Sequence, residues 1–110
     1  MILSFANKEI REICEDENKA KLILGLDVAI KLQSRLAELR AYYFADEVIF
    51  GSPITTNNTG FSFPVYRVDL LIKDFKLIFC GNHIKNPLKE DGSIDWTKVS
   101  RIKILHIDNN

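Results

Sequence analysis

The sequence predicts an α+β fold in which an N-terminal strand and a two-helix hairpin pack on a small, mainly antiparallel twisted sheet. Apolar residues recur at helical spacing through residues 7–44, and stretches between residues 65 and 107 alternate apolar with polar side chains. Polar segments containing Gly, Asn and Pro separate these stretches. Because the helices precede most of the strands, we expect a helical layer on one face of the sheet.

The first predicted elements are a strand and a helix. The run "MILSF" is apolar enough for a short strand, and Asn7 is a suitable N-cap for the helix that follows. Ile10, Ile13 and Cys14 share one face of that helix, which we expect to be buried.

The longest periodic segment, residues 19–44, predicts an amphipathic helix. Gly25 weakens its first turns, so a later start with Asp27 as N-cap is an alternative. Its predicted apolar stripe consists of Leu22, Leu26, Ala29, Leu32, Leu36, Leu39 and Tyr43. Its predicted solvent face carries Lys31, Arg35, Glu38 and Arg40.

A β-hairpin is predicted in the second half of the chain. In "VYRVDLLI", Arg67 and Asp69 alternate with apolar residues and so share the face opposite the core. Lys73 and Asp74 provide a tight turn into "FKLIFCG", where apolar residues occupy both faces except at Lys76. A strand that is apolar on both faces is expected at the centre of a sheet.

Two further strands complete the predicted sheet. "DEVIFGSP" contains a short extended segment that Gly51 and Pro53 end. Because termini fray unless they are tied down, "RIKILHI" is expected to pair within the sheet although it lies near the end of the chain. Its alternation places Ile102, Ile104 and His106 on one face and Arg101, Lys103 and Leu105 on the other. On this reading His106 is a half-buried structural histidine.

Composition limits the classes of function. The 110 residues form one predicted domain, residues 1–110, in which 15 Lys and Arg balance 15 Asp and Glu. Nucleic-acid-binding proteins normally have a basic excess, so any RNA-binding role must use a local basic patch. No apolar run reaches the roughly 20 residues that cross a bilayer. The N-terminus lacks the pattern of a signal peptide, and we expect a cytoplasmic protein.

Few motifs of known chemistry are present. The two cysteines, Cys14 and Cys80, lack metal-ligand spacing and are expected to be reduced, partly buried thiols. The HExxH, CxxC, GxSxG and Gly-rich phosphate motifs are absent, and no metal or other cofactor is expected. His83 lies in a polar loop and is expected to be solvated. Residues 42–44 and Trp96 are candidates for base stacking and for partner binding, although packing on the sheet is the commoner role.

The predicted sheet face opposite the helices carries several charged side chains. Basic residues gathered on one sheet face can hold a phosphodiester backbone despite zero net charge. A solvated sheet face gives the same alternation and is the interpretation that the pattern alone favours. The residues concerned are Arg67, Asp69, Lys73, Lys76, Arg101 and Lys103.

Four stretches, "MILSFANKEIREICED", "KLQSRLAELRA", "DFKLIF" and "KEDGSIDWTKVSRIKILHI", resemble the RelE/ParE superfamily of toxin–antitoxin toxins. The resemblance is greatest to the HigB-like branch, the plasmid maintenance system killer proteins. It implies a RelE-like fold whose concave sheet holds messenger RNA in the ribosomal A site. The implied activity is that of an mRNA interferase, a metal-independent endoribonuclease, and the implied partner is a cognate HigA-like helix-turn-helix antitoxin.

The resemblance also assigns roles to single residues. In the family motif "yRliF", here "FKLIF", Lys76 occupies the position of the phosphate-stabilising arginine, which keeps the charge but loses the bidentate fork. The family's basic loop corresponds to "ITTNNTGFSFPVY", which has no Lys, Arg or His, and Arg67 follows it. The implied catalytic residues are Lys76, Arg67, His106 and Asp108. The implied RNA-binding residues are Lys73, Arg101, Lys103 and Asn109.

The end of the chain departs from the family ending, roughly "ILEIVDYH". Aligned without a gap, Asn109 takes the acidic position and Asn110 the tyrosine; a one-residue deletion instead matches Asp108 to the acid. Neither alignment supplies the aromatic residue or the final histidine. Because each lost acid–base or clamp group typically costs about 10²–10³-fold, we expect weakened ribonuclease activity.

Two other functions stay open on the sequence. One is a non-catalytic toxin-fold module that binds an antitoxin or regulates its operon. The other is a ParE-like inhibitor of DNA gyrase, which shares the fold without the nuclease residues.

Overall fold

A computed structural model describes residues 1–54 and 60–109 of the chain. The expectations that fall on residues 55–59 and on Asn110 lie outside this range. The fold is α+β, as predicted, with three helices and one open five-stranded sheet. The helices are α1 (Lys8–Glu15), α2 (Glu17–Leu24) and α3 (Leu26–Ala41), and the strands are β1 (Ile2–Phe5), β2 (Gly51–Pro53), β3 (Tyr66–Asp69), β4 (Lys76–Gly81) and β5 (Arg101–Asp108).

The strands lie in the order β1-β5-β4-β3-β2. All neighbouring strands are antiparallel except β1 and β5, which are parallel, so the sheet is mixed. The predicted hairpin is β3–β4, and β4 occupies the central position expected from its apolar faces. Strand β5 pairs with β1 on one side and with β4 on the other, which ties the near-terminal segment into the sheet as predicted.

The prediction of two helices was wrong, because the helical region is broken twice, at Asp16 and at Gly25, and therefore forms three helices. Asp16 ends α1 and caps α2, where its side chain accepts hydrogen bonds from the backbone N–H groups of Asn18 and Lys19 at 3.0 and 3.2 Å. Gly25 separates α2 from α3 with a φ of 87°, a conformation that favours glycine. The Asn7 cap is confirmed, since its side chain accepts from the Ile10 N–H at 2.9 Å.

The core lies between α3 and one face of the sheet. Residues Ala29, Leu32, Leu36 and Leu39 of the predicted stripe are buried, and the strands contribute Val68, Leu77, Phe79, Ile102 and Ile104. Leu22 is 86% exposed and Tyr43 is 77% exposed, and Leu26 is also exposed, so their predicted burial was wrong. The break at Gly25 interrupts the stripe, and Tyr43 lies beyond the end of α3.

Arg35 also departs from the predicted solvent face, since only 7% of it is exposed. Its guanidinium donates two hydrogen bonds to the Glu38 carboxylate, at 2.9 and 3.2 Å, and one to the Asp69 carbonyl at 3.2 Å. It also lies over the Phe50 ring, 4.8 Å from the centroid. Arg35 therefore joins α3 to the end of β3.

Among the described helices, none combines the length and the apolar character required to cross a membrane.

Candidate functional site

The sheet face opposite the helices brings the four predicted catalytic residues together. Across β3, β4 and β5, Arg67 lies opposite Ile78, and Ile78 lies opposite His106. In the next row of the same face, Lys76 lies between Asp69 and Asp108. We call these two rows the polar patch. Directly opposite residues in adjacent strands have close Cβ atoms, and diagonal neighbours are about 7–8 Å apart.

A bulge in β5 places His106 in the polar patch. The register between β4 and β5 shifts between Ile78 and Phe79, so that Ile78 pairs with His106 and Phe79 pairs with Ile104. Leu105 is the extra residue, and His106 therefore leaves the face of Ile104 while Ile107 packs against the core. The expectation that His106 shares the core face was wrong, because strict alternation assumes a continuous register.

His106 and Asp108 form a side-chain pair. The His106 Nε2 contacts the Asp108 Oδ2, and the two side chains are 52% and 27% exposed. In a neutral imidazole whose Nε2–H donates to this carboxylate, Nδ1 carries the lone pair that can take a proton. In that arrangement Asp108 fixes which imidazole nitrogen can accept a proton.

Lys76 supplies the central positive charge of the polar patch. It is half-buried, and its neighbours in register are both aspartates. The Asp69 carboxylate accepts from the Leu71 N–H at 2.8 Å, and Asp108 contacts His106. Lys76 has no ion pair within residues 1–54 and 60–109, so its ammonium is available to an anion on this face.

Arg67 is exposed on β3, at the far side of Ile78 from His106. Because two inter-strand spacings separate these residues, their backbones are about 10 Å apart. The long arginine side chain can cover much of this distance. A phosphate placed above Ile78 would therefore lie within reach of Arg67, Lys76 and His106.

The four predicted RNA-binding residues lie around the polar patch. Lys73 is exposed in the β3–β4 turn with a φ of 49°, and Asn109 is exposed just after β5. Arg101 and Lys103 lie towards the other end of β5 on the same face. The structure thus distributes them over both ends of one sheet face.

A cavity beside Lys103 was not anticipated from the sequence. It has a volume of about 190 Å³ and is lined by Phe63, Pro64, Cys80 and Lys103 among others. The sequence indicated only that residues 60–64 belong to a polar loop; their approach to the end of β4 depends on tertiary packing.

His83 has a structural role rather than the predicted solvated one. Its ring Nε2 accepts hydrogen bonds from the backbone N–H groups of Ser100 and Arg101 at 3.1 and 3.3 Å. Its backbone N–H donates to Asn86 Oδ1 at 3.0 Å. His83 therefore fastens the loop after β4 to the start of β5.

The aromatic residues singled out in the sequence divide into packed and exposed side chains. Trp96 packs edge-on against Tyr66, with ring centroids 5.0 Å apart, and against Phe79 at 6.1 Å. Tyr42 packs against the core, whereas Tyr43 and Phe44 are exposed at the end of α3. Trp96 thus belongs to the support of the sheet.

Both cysteines are free thiols, as predicted, and both are buried rather than only partly buried. Burial raises the pKa of the Cys14 thiol to about 12 and also raises the pKa of Cys80. Lys103, which lies opposite Cys80 on β5, partly opposes the second shift. Neither thiol has the low pKa of a reactive cysteine.

Within the described part of the chain, no group of three or more His, Cys, Asp or Glu residues is arranged to hold a metal ion. The chemistry available on this face is that of an imidazole–carboxylate pair with nearby cations.

In comparisons with known proteins, no family model, no curated protein and no solved structure matches the chain.

Proposed function

We propose that this protein is the toxin of a type II toxin–antitoxin system, a HigB-like member of the RelE/ParE superfamily that cleaves messenger RNA on the ribosome. The observation that carries the proposal is the polar patch, where the His106–Asp108 pair lies across the sheet from Arg67 and diagonal to Lys76. The proposal also rests on the sequence resemblance described above.

The polar patch has the groups that metal-independent RNA cleavage needs. His106 Nδ1 takes the proton of the 2′-hydroxyl, whose oxygen attacks the adjacent phosphorus. Lys76 and Arg67 stabilise the negative charge that develops on the phosphorane oxygens. The bond from phosphorus to the 5′-oxygen then breaks, and that oxygen takes a proton from Lys76 or from water. The products are a 2′,3′-cyclic phosphate and a 5′-hydroxyl.

The activity should be weak, because Lys76 provides a point charge where the related toxins have an arginine. An arginine holds two phosphate oxygens at once, and a lysine cannot reproduce this geometry. Asp69 and Asp108 beside Lys76 also oppose the approach of an anion. The substitution Lys76→Arg is therefore expected to increase the cleavage rate.

The test uses purified protein, ribosomes loaded with a short messenger RNA, and mapping of the cut ends. Cleavage that leaves 5′-hydroxyl ends supports the proposal, with His106→Ala or Lys76→Ala slowing it about 10²–10³-fold. The matched control is Lys31→Ala, which removes the same charge from the exposed surface of α3. Intact transcripts at high enzyme concentration would contradict the proposal. Intact transcripts in this assay, together with altered supercoiling when the protein is added to gyrase and plasmid DNA, would favour gyrase inhibition instead.

A second candidate function is antitoxin binding without catalysis. Four apolar side chains on α2 and α3 are exposed to solvent, namely Leu22, Ile23, Leu26 and Ile30. Exposed apolar side chains that form one contiguous patch mark a protein-binding surface, and these four lie within residues 22–30. Co-expression with the product of a neighbouring antitoxin gene should give a stable complex that Leu22→Glu and Ile30→Glu weaken. A complex unaffected by both substitutions would argue against this surface.

A further inference from the structure

The cavity beside Lys103 lies one strand row away from the polar patch. Cys80 and Lys103 pair across β4 and β5, and Cys80 is two residues from Ile78, the residue between Arg67 and His106. Because a strand rises about 3.3 Å per residue, the cavity begins roughly 7 Å from the row that contains His106. A polynucleotide whose phosphate lies over the polar patch would place a neighbouring base at this cavity.

The cavity is suited to a flat ring. Its volume of about 190 Å³ is more than a single water molecule or ion requires. Phe63 and Pro64 are among its lining residues, and the Phe61 ring lies beside that of Phe63 at a centroid distance of 5.6 Å. Phe63 is partly exposed and so offers a surface on which a base can stack.

The polar groups of the cavity select hydrogen-bond acceptors. Asn86 also lines it, and each end of its amide already makes one hydrogen bond: Oδ1 accepts from the His83 backbone N–H, and Nδ2 donates to the Gly81 carbonyl at 3.4 Å. Lys103 has no ion pair in the described ranges of the chain, and its ammonium can only donate. Two acceptors side by side, as O6 and N7 of guanine, fit such a donor, whereas adenine presents an amino group at the same edge.

We propose that this cavity is a base-binding subsite for guanine in single-stranded RNA, with Phe63 stacking on the ring and Lys103 donating to O6 and N7. The inference rests on the proposed function in that RNA is taken to lie along this sheet face. It adds a base preference to one nucleotide adjacent to the scissile phosphate.

The test measures binding of short oligouridylates that carry 2′-O-methyl groups and so cannot be cleaved. A single guanine is placed at each position in turn. At one position guanine should raise the affinity roughly 5- to 100-fold over adenine, the range that a good base-edge contact provides. Inosine, which retains O6 and N7, should keep the gain, and 7-deazaguanine should lose most of it.

Variants assign the effect to the cavity. Lys103→Met should abolish the difference between guanine and adenine, whereas Lys31→Met, the same change on α3, should preserve it. Phe63→Ala should weaken binding of all bases and Phe63→Trp should retain it. Equal affinity for guanine and adenine at every position, or a preference that survives Lys103→Met, would overturn the inference, as would failure of every oligonucleotide to bind.

The two proposals can fail separately. RNA cleavage without any guanine preference would refute the subsite and leave the proposed activity in place. Guanine binding that depends on Lys103, with no cleavage on ribosomes, would support the subsite and refute the nuclease.

Discussion

Replacing Arg35 with methionine should destabilise the protein strongly, because this side chain is buried and has three kinds of partner. Loss of its hydrogen bond leaves the Asp69 carbonyl without that donor, at a cost of about 1–3 kcal/mol. Loss of the cation–ring contact with Phe50 adds about 0.5–2 kcal/mol. The Glu38 side chain is partly exposed and regains water, so the ion pair itself contributes little more.

Together these contributions predict a decrease of about 1.5–5 kcal/mol in the free energy of unfolding, since methionine keeps the packing of the aliphatic stem. At about 5 °C per kcal/mol for a domain of this size, that corresponds to a fall of roughly 8–25 °C in Tm. Urea unfolding followed by the fluorescence of Trp96, the only tryptophan, measures the change. Arg35→Lys, which keeps the charge without the fork, should recover only part of the loss.

The matched control for this experiment is Lys31→Met on the exposed surface of α3, which should change the free energy of unfolding by less than about 0.5 kcal/mol. If Arg35→Met were as stable as this control, the reasoning would fail, because the buried guanidinium would then make no net contribution to joining α3 and β3.

Four further predictions concern stability and reactivity. Asn7→Ala should cost about 1 kcal/mol in chemical unfolding because it removes the cap of α1, and Asn7→Asp should be nearly neutral; equal stability of all three proteins would contradict the cap. Gly51→Ala should cost about 1–3 kcal/mol in the same assay, since its methyl group would lie 2.7 Å from the Tyr66 ring; an unchanged midpoint would show that the ring moves freely. Cys14 and Cys80 should react with a disulfide reagent at pH 8 only after unfolding, and rapid labelling of the native protein would refute their burial. Because the folded-state pKa of Cys14 is raised to about 12 from 9.0, the unfolded chain loses this proton first, and stability should fall as the pH rises above 9.0; Cys14→Ala should remove this part of the fall.

Local patterns predicted the elements whose faces they determine. The alternation around Arg67 and the two apolar faces of β4 were sufficient to predict the β3–β4 hairpin and the central place of β4. Both depend on side chains only a few residues apart. The face that carries Arg67 and Lys76 followed from the same alternation.

Features that depend on the register between strands or on a single backbone angle could not be predicted. The position of His106 depends on a bulge, which is a relation between β4 and β5 and leaves no mark in the period of either strand. The separation of α2 from α3 depends on Gly25 adopting a positive φ, which the sequence permits but does not require. His83 was misjudged because its partners, the N–H groups at the start of β5, are distant in sequence.

The bulge at Leu105 makes the site dependent on the register between β4 and β5 as well as on composition. If Leu105 stayed in the strand and paired with Ile78 in a continuous register, the imidazole of His106 would turn towards the helices and Ile107 towards solvent, whereas deletion of Leu105 would keep His106 opposite Ile78. Loss of the bulge without loss of the residue would thus remove the base of the proposed reaction from the polar patch while every candidate side chain remained in the protein. Related chains are best compared here by counting residues between the two isoleucines that flank the bulge, Ile104 and Ile107, before comparing the residues themselves.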